Sequence, residues 1–568
     1  MIKSIINSLD KNLKKKIFLF IIFSVGMTLI ESATVASMVP VVQIIIDNIK
    51  INFLQNLNLL YELEYSKRVL IALIFLISIF LIKNLALSFF TIWQFNFFKQ
   101  FELNLSSKLF SKYINQNYSF YLKNNSGVLS NNVMYEVGGV KSYLKSACTL
   151  FSESILFVTI LVLLLYLEPT ATIFLFFILT SLSILAYFFI AKKIKSWGKK
   201  RFEYQGISNK NIIESLEGIK IIKFFSSELN IIKRFYSNIS RTLEFRKKYE
   251  LINEFPRIFY ETIGILCFCL LVFFLLYLNR VEDLIVTASL FLTATLRILP
   301  SITRISRSYQ TLLSSNASVK KVYEHLQLEV DKKIHTKEKL QFDKKIEIKN
   351  ISFKFENNHE KILKNIDIKI SKGEKIGIIG PSGCGKSTLL DLLTGIIKTN
   401  HGSISIDDRL LNETTIQKWL NNIGVVGQNT FLLDDTIANN IKFFSEEENI
   451  QLKECLEIVD FYDHVKNLES GFETITGERG TKFSGGQRQR IAIARSIFRN
   501  PEVFIFDEAT SAIDEKSEKI IFNNLFERFS KNTFIVVAHK FSMLKNFDRI
   551  FIMDQGQIIK EGNYNEIF

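Results

Sequence analysis

The sequence has 568 residues, 71 Lys and Arg against 56 Asp and Glu for a net charge of +15, 48% hydrophobic residues and 52 Phe. A mean hydropathy of +0.18 over that length argues against a purely soluble protein. With 22% charged residues and five Cys, the chain is neither disordered, nor collagen-like, nor a disulfide scaffold. Cys148, Cys267, Cys269, Cys384 and Cys455 lack the paired spacing of a zinc site and read as free thiols. The basic excess has two readings, nucleic acid or cytoplasmic loops that obey the positive-inside rule.

Apolar runs dominate up to about residue 320, and a spanning helix needs about 20 apolar residues. Six spans are expected. They are Ile17–Ile46 with Glu31, Val69–Phe98 with Lys83, Ser154–Leu167 extended back toward Ser146, Pro169–Ala191, Thr262–Asn279, and Leu284–Ile305 with Arg297 and Arg304. Several exceed what a bilayer requires and should continue as helices into water. Lys3, Lys11, Lys14, Lys15 and Lys16 precede the first span and place the N-terminus in the cytoplasm. The long lysine-rich loops, about 99–145 and 192–256, then fall on the same side. Six spans remove the nucleic-acid reading. The outer loop near 52–64 carries Phe53, Leu54, Leu57, Leu60 and Tyr61 at helical spacing. It is either an amphipathic helix at the membrane surface or an apolar stripe packed on helix ends.

The region 1–320 is thus a transmembrane domain, 321–344 a charged linker that ordinarily would be solvated, and 345–568 an α/β domain. Ile346–Phe353 alternates like a strand, while Lys375–Ile379 and Val503–Phe506 are buried strands. Strands alternating with helices indicate a largely parallel sheet.

Gly380-Pro-Ser382-Gly383-Cys384-Gly385-Lys386-Ser387-Thr388 follows one of these strands and opens a helix. Its glycines let backbone N–H groups surround phosphate oxygens, Lys386 meets the β- and γ-phosphates of ATP, and Ser387 ligates Mg²⁺. The strand Val503–Phe506 delivers Asp507, for the magnesium shell, and Glu508, placed to polarise the attacking water.

Phe483-Ser484-Gly485-Gly486-Gln487 resembles the signature motif of ABC-type ATPases, and the resemblance extends over the second half of the chain. It implies that Gln428 senses the metal and reports to the membrane domain, and that Ser511-Ala-Ile-Asp514 joins two active sites across a dimer. It likewise implies that His539 contacts the γ-phosphate, that Phe355 stacks on adenine, and that Thr474–Gly480 touches the cytoplasmic loops. Four positions depart from the family pattern: Phe483 stands for leucine, Phe355 for tyrosine, Thr476 for valine and Lys540 for arginine. No catalytic position is degenerate. The first half is similar to the exporter branch of ABC transporters, with coupling helices near 120–135 and 206–220. One nucleotide domain per chain then implies a homodimer with two composite sites, in which ATP closes the nucleotide domains and the spans switch the side they open to.

A cation at membrane depth faces a cavity or a partner. Lys83, Arg257, Arg297 and Arg304 are candidates for a substrate path, with pairing to Glu31, Glu153, Glu254 or Glu261, or snorkelling, as the alternative. Glu254–Gly264 and Arg297–Ile305 resemble the bacterial lipid-linked oligosaccharide flippase of the protein N-glycosylation pathway. That resemblance implies a multi-pass protein of the bacterial inner membrane, with its nucleotide domain in the cytoplasm. It would move a polyprenyl-diphosphate-linked glycan from the cytoplasmic to the outer leaflet, the outer helix meeting the lipid chain and the internal cations the pyrophosphate. An exporter of another lipid, a peptide or a drug is the alternative.

Overall fold

The computed structural model describes residues 1–45, 64–167, 169–170, 172–173, 176–177, 180–181, 200, 204, 207–208, 211–277, 284–330, 336–355, 360–445, 450–538 and 541–568; a few side chains within these stretches, that of Arg257 among them, lie outside the description. The chain divides into two compact units, one of residues 1–114 and 125–329, the other of 115–124 and 330–568.

The first unit is helical. It contains α1 (Ile2–Ser8), α2 (Lys11–Ile45), α3 (Tyr65–Ile114), α5 (Ser126–Asn131), α6 (Val137–Leu167), α7 (Ile219–Phe224), α8 (Glu228–Tyr277) and α9 (Leu284–Leu326), with α4 (Tyr118–Lys123) belonging to the second unit. Among the described residues, helices over 11–42, 65–114 and 126–166 are long and apolar enough to cross a membrane. The 50 residues of α3 measure roughly 75 Å at 1.5 Å per residue, against about 30 Å of hydrocarbon. The span therefore continues well beyond the bilayer. Most of the expected span Pro169–Ala191, and the outer segment near 52–64 except Glu64, lie outside the described residues.

Aromatic residues hold α2 to α3. The Phe20 ring stacks 5.4 Å from Phe97 and 5.9 Å from Phe90, and meets Phe98 edge-on at 5.3 Å. Leu156, Ile160 and Leu164 of α6 pack with Ile263, Cys267 and Leu271 of α8 and with Phe291 and Ala294 of α9. Gly139 lets α6 approach α9, because a Cβ there would overlap Ser318. The helical repeat of apolar side chains thus closes a three-helix seam.

The second unit carries two sheets. An antiparallel sheet has the order β2–β1–β4–β5, built from β1 (Lys345–Phe353), β2 (Leu363–Ser371), β4 (His401–Ile406) and β5 (Arg409–Leu410). A second sheet has the order β10–β9–β3–β8–β7–β6, from β3 (Lys375–Ile379), β6 (Ile423–Val426), β7 (Val503–Asp507), β8 (Thr533–Val537), β9 (Arg549–Asp554) and β10 (Gln557–Gly562). Its neighbours are parallel except for the β9–β10 hairpin. Strands buried on both faces read as continuous apolar runs, and Phe504, Phe506 and Phe534 are fully buried here. Phe504 stacks on Phe534 at 4.8 Å and meets Phe529 at 5.0 Å. The helices that carry the site are α10 (Lys386–Thr394), α11 (Ile437–Lys442), α12 (Gly485–Phe498) and α13 (Glu515–Arg528).

The connector before β1 corrects the expectation of a solvated linker. Residues 331–335 lie outside the described residues, but Leu340 and Phe342 are buried. Leu340 N–H donates to Asn422 Oδ1 at 2.8 Å, Asn422 Nδ2 donates back to the Leu340 carbonyl at 2.8 Å, and Phe342 meets Trp419 edge-on. Two apolar side chains at i and i+2 gain more by burial than the flanking lysines lose, because the lysine ammonium groups stay in water.

Candidate functional site

The phosphate loop joins β3 to α10. Gly380, Gly383 and Gly385 have φ of +155°, +83° and +104°. At Gly380 a side chain would also run into the Met553 carbonyl, so only glycine fits. Ser382 lies in this turn, and Cys384 is buried in the core that both sheets share. Lys386 opens α10 and is 6% exposed; its Nζ donates to the carbonyls of Gly380 at 2.8 Å and Pro381 at 2.9 Å. The ammonium is thus held back against the loop's own carbonyls. Ser387 and Thr388 continue the first turn of α10.

β7 delivers Asp507 at its end, followed by Glu508 in the left-handed region at φ +52°. Glu508 N–H donates to the Val537 carbonyl of β8, and its Oε2 accepts from Gln428 Nε2 at 2.9 Å. A non-glycine residue with positive φ costs about 1–3 kcal/mol and persists only where its surroundings over-determine it. Asp391, four residues after Ser387 on α10, is pushed up to about 6 by its burial and by the charge of Asp507. Ser387, Gln428 and Asp507 offer hydroxyl, amide and carboxylate oxygens. These hard donors, in a locus negative enough to raise a neighbouring carboxyl, suit Mg²⁺.

Ser484 caps α12. Its Oγ accepts from Gln487 N–H and the Gln487 side chain accepts from Ser484 N–H, a reciprocal capping box. Gly485 and Gly486 follow, leaving open N–H groups at the positive end of a 14-residue helix. Asp514 caps α13 by accepting from Ser517 N–H at 2.9 Å, and that bond holds its carboxyl below the usual range. Phe355 packs edge-on to Phe353 at 5.0 Å and is partly buried, with its neighbours 356–359 outside the described residues. His539 and Lys540 lie outside the described residues too. The departures at Phe483 and Thr476 have packing reasons. Phe483 is buried and meets Phe461 edge-on, and the fully buried Thr476 hydroxyl donates to the Leu433 carbonyl at 2.7 Å.

In the helical unit the structure takes the pairing alternative for two of the four internal cations. Arg297 of α9 bonds Glu31 of α2. Arg304 Nε lies 2.5 Å from Oε1 of Glu153 on α6, whose Oε2 accepts from the fully buried Ser301 at 2.6 Å. Glu254 is taken by Arg307 at 2.6 Å. One guanidinium nitrogen of Arg304, Nη2, is buried with no hydrogen-bond partner among the described residues. Lys83 sits over the Phe80 ring at 5.0 Å and has no carboxylate partner among the described residues. The side chain of Arg257 is outside the description.

Sequence reasoning passed over Asp391, whose signal is its i+4 spacing from Ser387 on one helix face. It passed over Gln489 and Arg495 on α12 as well, since no local pattern distinguishes them from other polar residues of a helix.

A family model described as ABC transporter transmembrane region matches residues 17–298, and one described as ABC transporter matches 363–511. The ATP-dependent lipid A-core flippase of Desulfotalea psychrophila is 30% identical over 474 residues, covering 81% of each chain. That of Saccharophagus degradans is 29% identical over 466 residues, 82% of this chain and 79% of its own. Among solved structures, a bacterial Atm1-family ABC exporter with ATP bound superposes with a TM-score of 0.74 over 98% of this chain and 96% of its own, at 20% identity.

Proposed function

The chain belongs to the ABC transporter family, and from that premise we propose that it is an ATP-driven flippase for a polyprenyl-diphosphate-linked oligosaccharide. As an exporter-type half-transporter it couples ATP hydrolysis to transport; the reading concerns what is moved and which residues move it. Two chains form the working unit in the inner membrane, each phosphate loop facing the partner subunit's signature helix. Gly380–Thr388 and Ser484–Gln487 then enclose one ATP between them, with Phe355 on the adenine, Asp514 near the dimer seam and His539 at the γ-phosphate. Glu508, oriented by Gln428, accepts the proton of the attacking water. Ser387, Gln428 and Asp507 would hold Mg²⁺, which when bound neutralises phosphate charge.

The observation that carries the substrate reading is the set of guanidinium groups held inside the helical unit by carboxylates. Arginine binds carboxylate and phosphate with the same planar fork. A diphosphate can therefore take the place of Glu31 on Arg297 and of Glu153 on Arg304, where one nitrogen is still unmet. The lipid tail stays in hydrocarbon, so only the charged, sugar-bearing head needs this path, for which Lys83 and Arg257 are the remaining candidates. The outer segment near 52–64 meets the tail. Names of the relatives favour lipid A-core as a second reading.

The test is reconstitution into liposomes with labelled polyprenyl-diphosphate glycan and, in parallel, labelled lipid A-core. ATP should expose the glycan head on the opposite leaflet. Replacing the pair together (Arg297→Ala with Glu31→Gln, so that no carboxylate is stranded) should cut flipping about 10-fold or more, the worth of a charge-assisted contact, with hydrolysis within about twofold. Healthy hydrolysis without glycan movement, or movement of lipid A-core alone, overturns the substrate reading.

A further inference from the structure

Gln489 lies one turn inside α12 and is 5% exposed. Both ends of its amide are engaged by the segment Ser511–Asp514. Its Nε2 donates to Ser511 Oγ at 3.0 Å, and its Oε1 accepts from Ala512 N–H at 2.9 Å. The two backbones are pressed together at the same place. A Cβ on Gly486 would stand 2.8 Å from the Ala512 carbonyl oxygen, and one on Gly485 would stand 3.1 Å from the Ala512 Cβ. The first turn of α12 and this segment therefore move as one body.

The segment is tied equally closely to the carboxylate end of β7. Ser511 N–H donates to the Glu508 carbonyl at 3.1 Å, and Ile513 N–H donates to the Thr510 carbonyl at 3.0 Å. The buried Thr510 hydroxyl donates to buried Glu518 of α13 at 2.5 Å. Ser511 is thus the middle of a continuous chain: Gln428 to Glu508, Glu508 through the backbone to Ser511, and Ser511 through its hydroxyl to Gln489.

We infer that Gln489 is a positioning residue that couples the two ATP sites of the dimer. The inference rests on the two-chain reading above. In that arrangement Glu508 serves the ATP on its own phosphate loop, while Ser484–Gly486 serve the ATP on the partner's. The link through Ser511 and Gln489 joins these two duties within one subunit. A displacement of Glu508 when phosphate leaves one site is carried to the signature turn that closes the other. A buried amide with both ends satisfied transmits such a shift because breaking either bond strands a buried polar group.

The experiment measures ATP dependence of hydrolysis by the full-length protein in liposomes for the natural sequence, Gln489→Leu, Gln489→Glu and Ser511→Ala. Leucine has nearly the right shape and makes neither bond. Glutamate can accept from both the Ala512 N–H and the Ser511 O–H. The natural protein should show a Hill coefficient well above one. Gln489→Leu should bring it to about one and lower maximal hydrolysis about 10-fold. Ser511→Ala should lower it part of the way, and Gln489→Glu should restore it. ATP binding by Gln489→Leu on a Glu508→Gln background should change less than about threefold, which separates lost coupling from lost folding. A cooperative natural protein whose Hill coefficient survives Gln489→Leu, or equal losses in the leucine and glutamate variants, overturns the role of Gln489 alone. A Hill coefficient of one in the natural protein overturns the coupling inference, whereas the two-chain reading itself fails only if the Glu508→Gln protein retains no ATP shared between two chains.

Discussion

Asp391 and Asp507 stand close enough beside the phosphate loop for the charge of one to raise the other. Burial acts first on Asp391 and Asp507 second, and together they bring it from 3.8 to about 6. A carboxyl whose folded value is raised favours the folded state while it is protonated. Its contribution is fully present below about 4 and is lost as pH rises through 6. In ATP-free protein, melting of the nucleotide unit should therefore fall across that window. Asp391→Asn should flatten the fall and raise Tm at pH 7.5 by about 2–4 °C, as 1 kcal/mol does for a domain of this size. Calorimetry at pH 5 and 7.5 checks it, and an equal effect of the variant at both values would remove the argument. Residues whose role is set by backbone conformation were legible from sequence. Gly380 is glycine because no Cβ fits beside Met553. The raised titration of Asp391 was not legible, since it depends on burial and on a strand more than 100 residues away.

Among the elements, α12 does the most. Its N-terminus presents the signature, and its last turns anchor α11 and the loop before it. Arg495 is half-buried, and that loss of water, with Arg499 nearby, lowers it to about 10, so it stays charged at neutral pH. It donates to the Asn440 carbonyl at 2.7 Å, the Phe431 carbonyl at 2.9 Å and Asn440 Oδ1 at 3.2 Å, and its guanidinium lies 4.6 Å from the centre of the Phe443 ring. Arg495→Met leaves the oxygens of buried Asn440 without this donor and should cost about 2–3 kcal/mol, about 5–10 °C in the melting of the nucleotide unit. Arg495→Lys should recover little, because an ammonium cannot span three acceptors with one planar fork. A lysine variant as stable as the natural protein would defeat that account. The strands β3, β7 and β8 were legible as apolar runs because both faces of a parallel sheet are covered. Leu340 and Phe342 were not. Two apolar residues among lysines carry no periodicity, and only Trp419 and Asn422, brought in from elsewhere, give them a place.

At the scale of the whole molecule, the two-chain reading makes its own demand. Glu508→Gln should reduce hydrolysis by about 10²–10³-fold, the usual worth of a general base, and retain two ATP per two chains after rapid desalting. Retention of one ATP per chain pair, or hydrolysis at the natural rate, would defeat the composite site. The residues alone dictated a basic, hydrophobic chain that crosses membranes and then binds nucleotide. Long apolar runs have few places to go but lipid, and a glycine loop between strand and helix has few partners but phosphate. The order of the two regions and the signature before Asp507 and Glu508 were equally readable, because each is a local pattern. Tertiary structure decided which charges are already spent. The sequence offers Arg297 and Arg304 either a substrate path or a choice among Glu31, Glu153, Glu254 and Glu261, and only packing of α9 against α2 and α6 brings Glu31 to the first and Glu153 to the second. It likewise decided that Gln489 clasps Ser511 and Ala512. Pairings between distant segments follow from how helices and sheets close on one another, and no spacing along the chain encodes them.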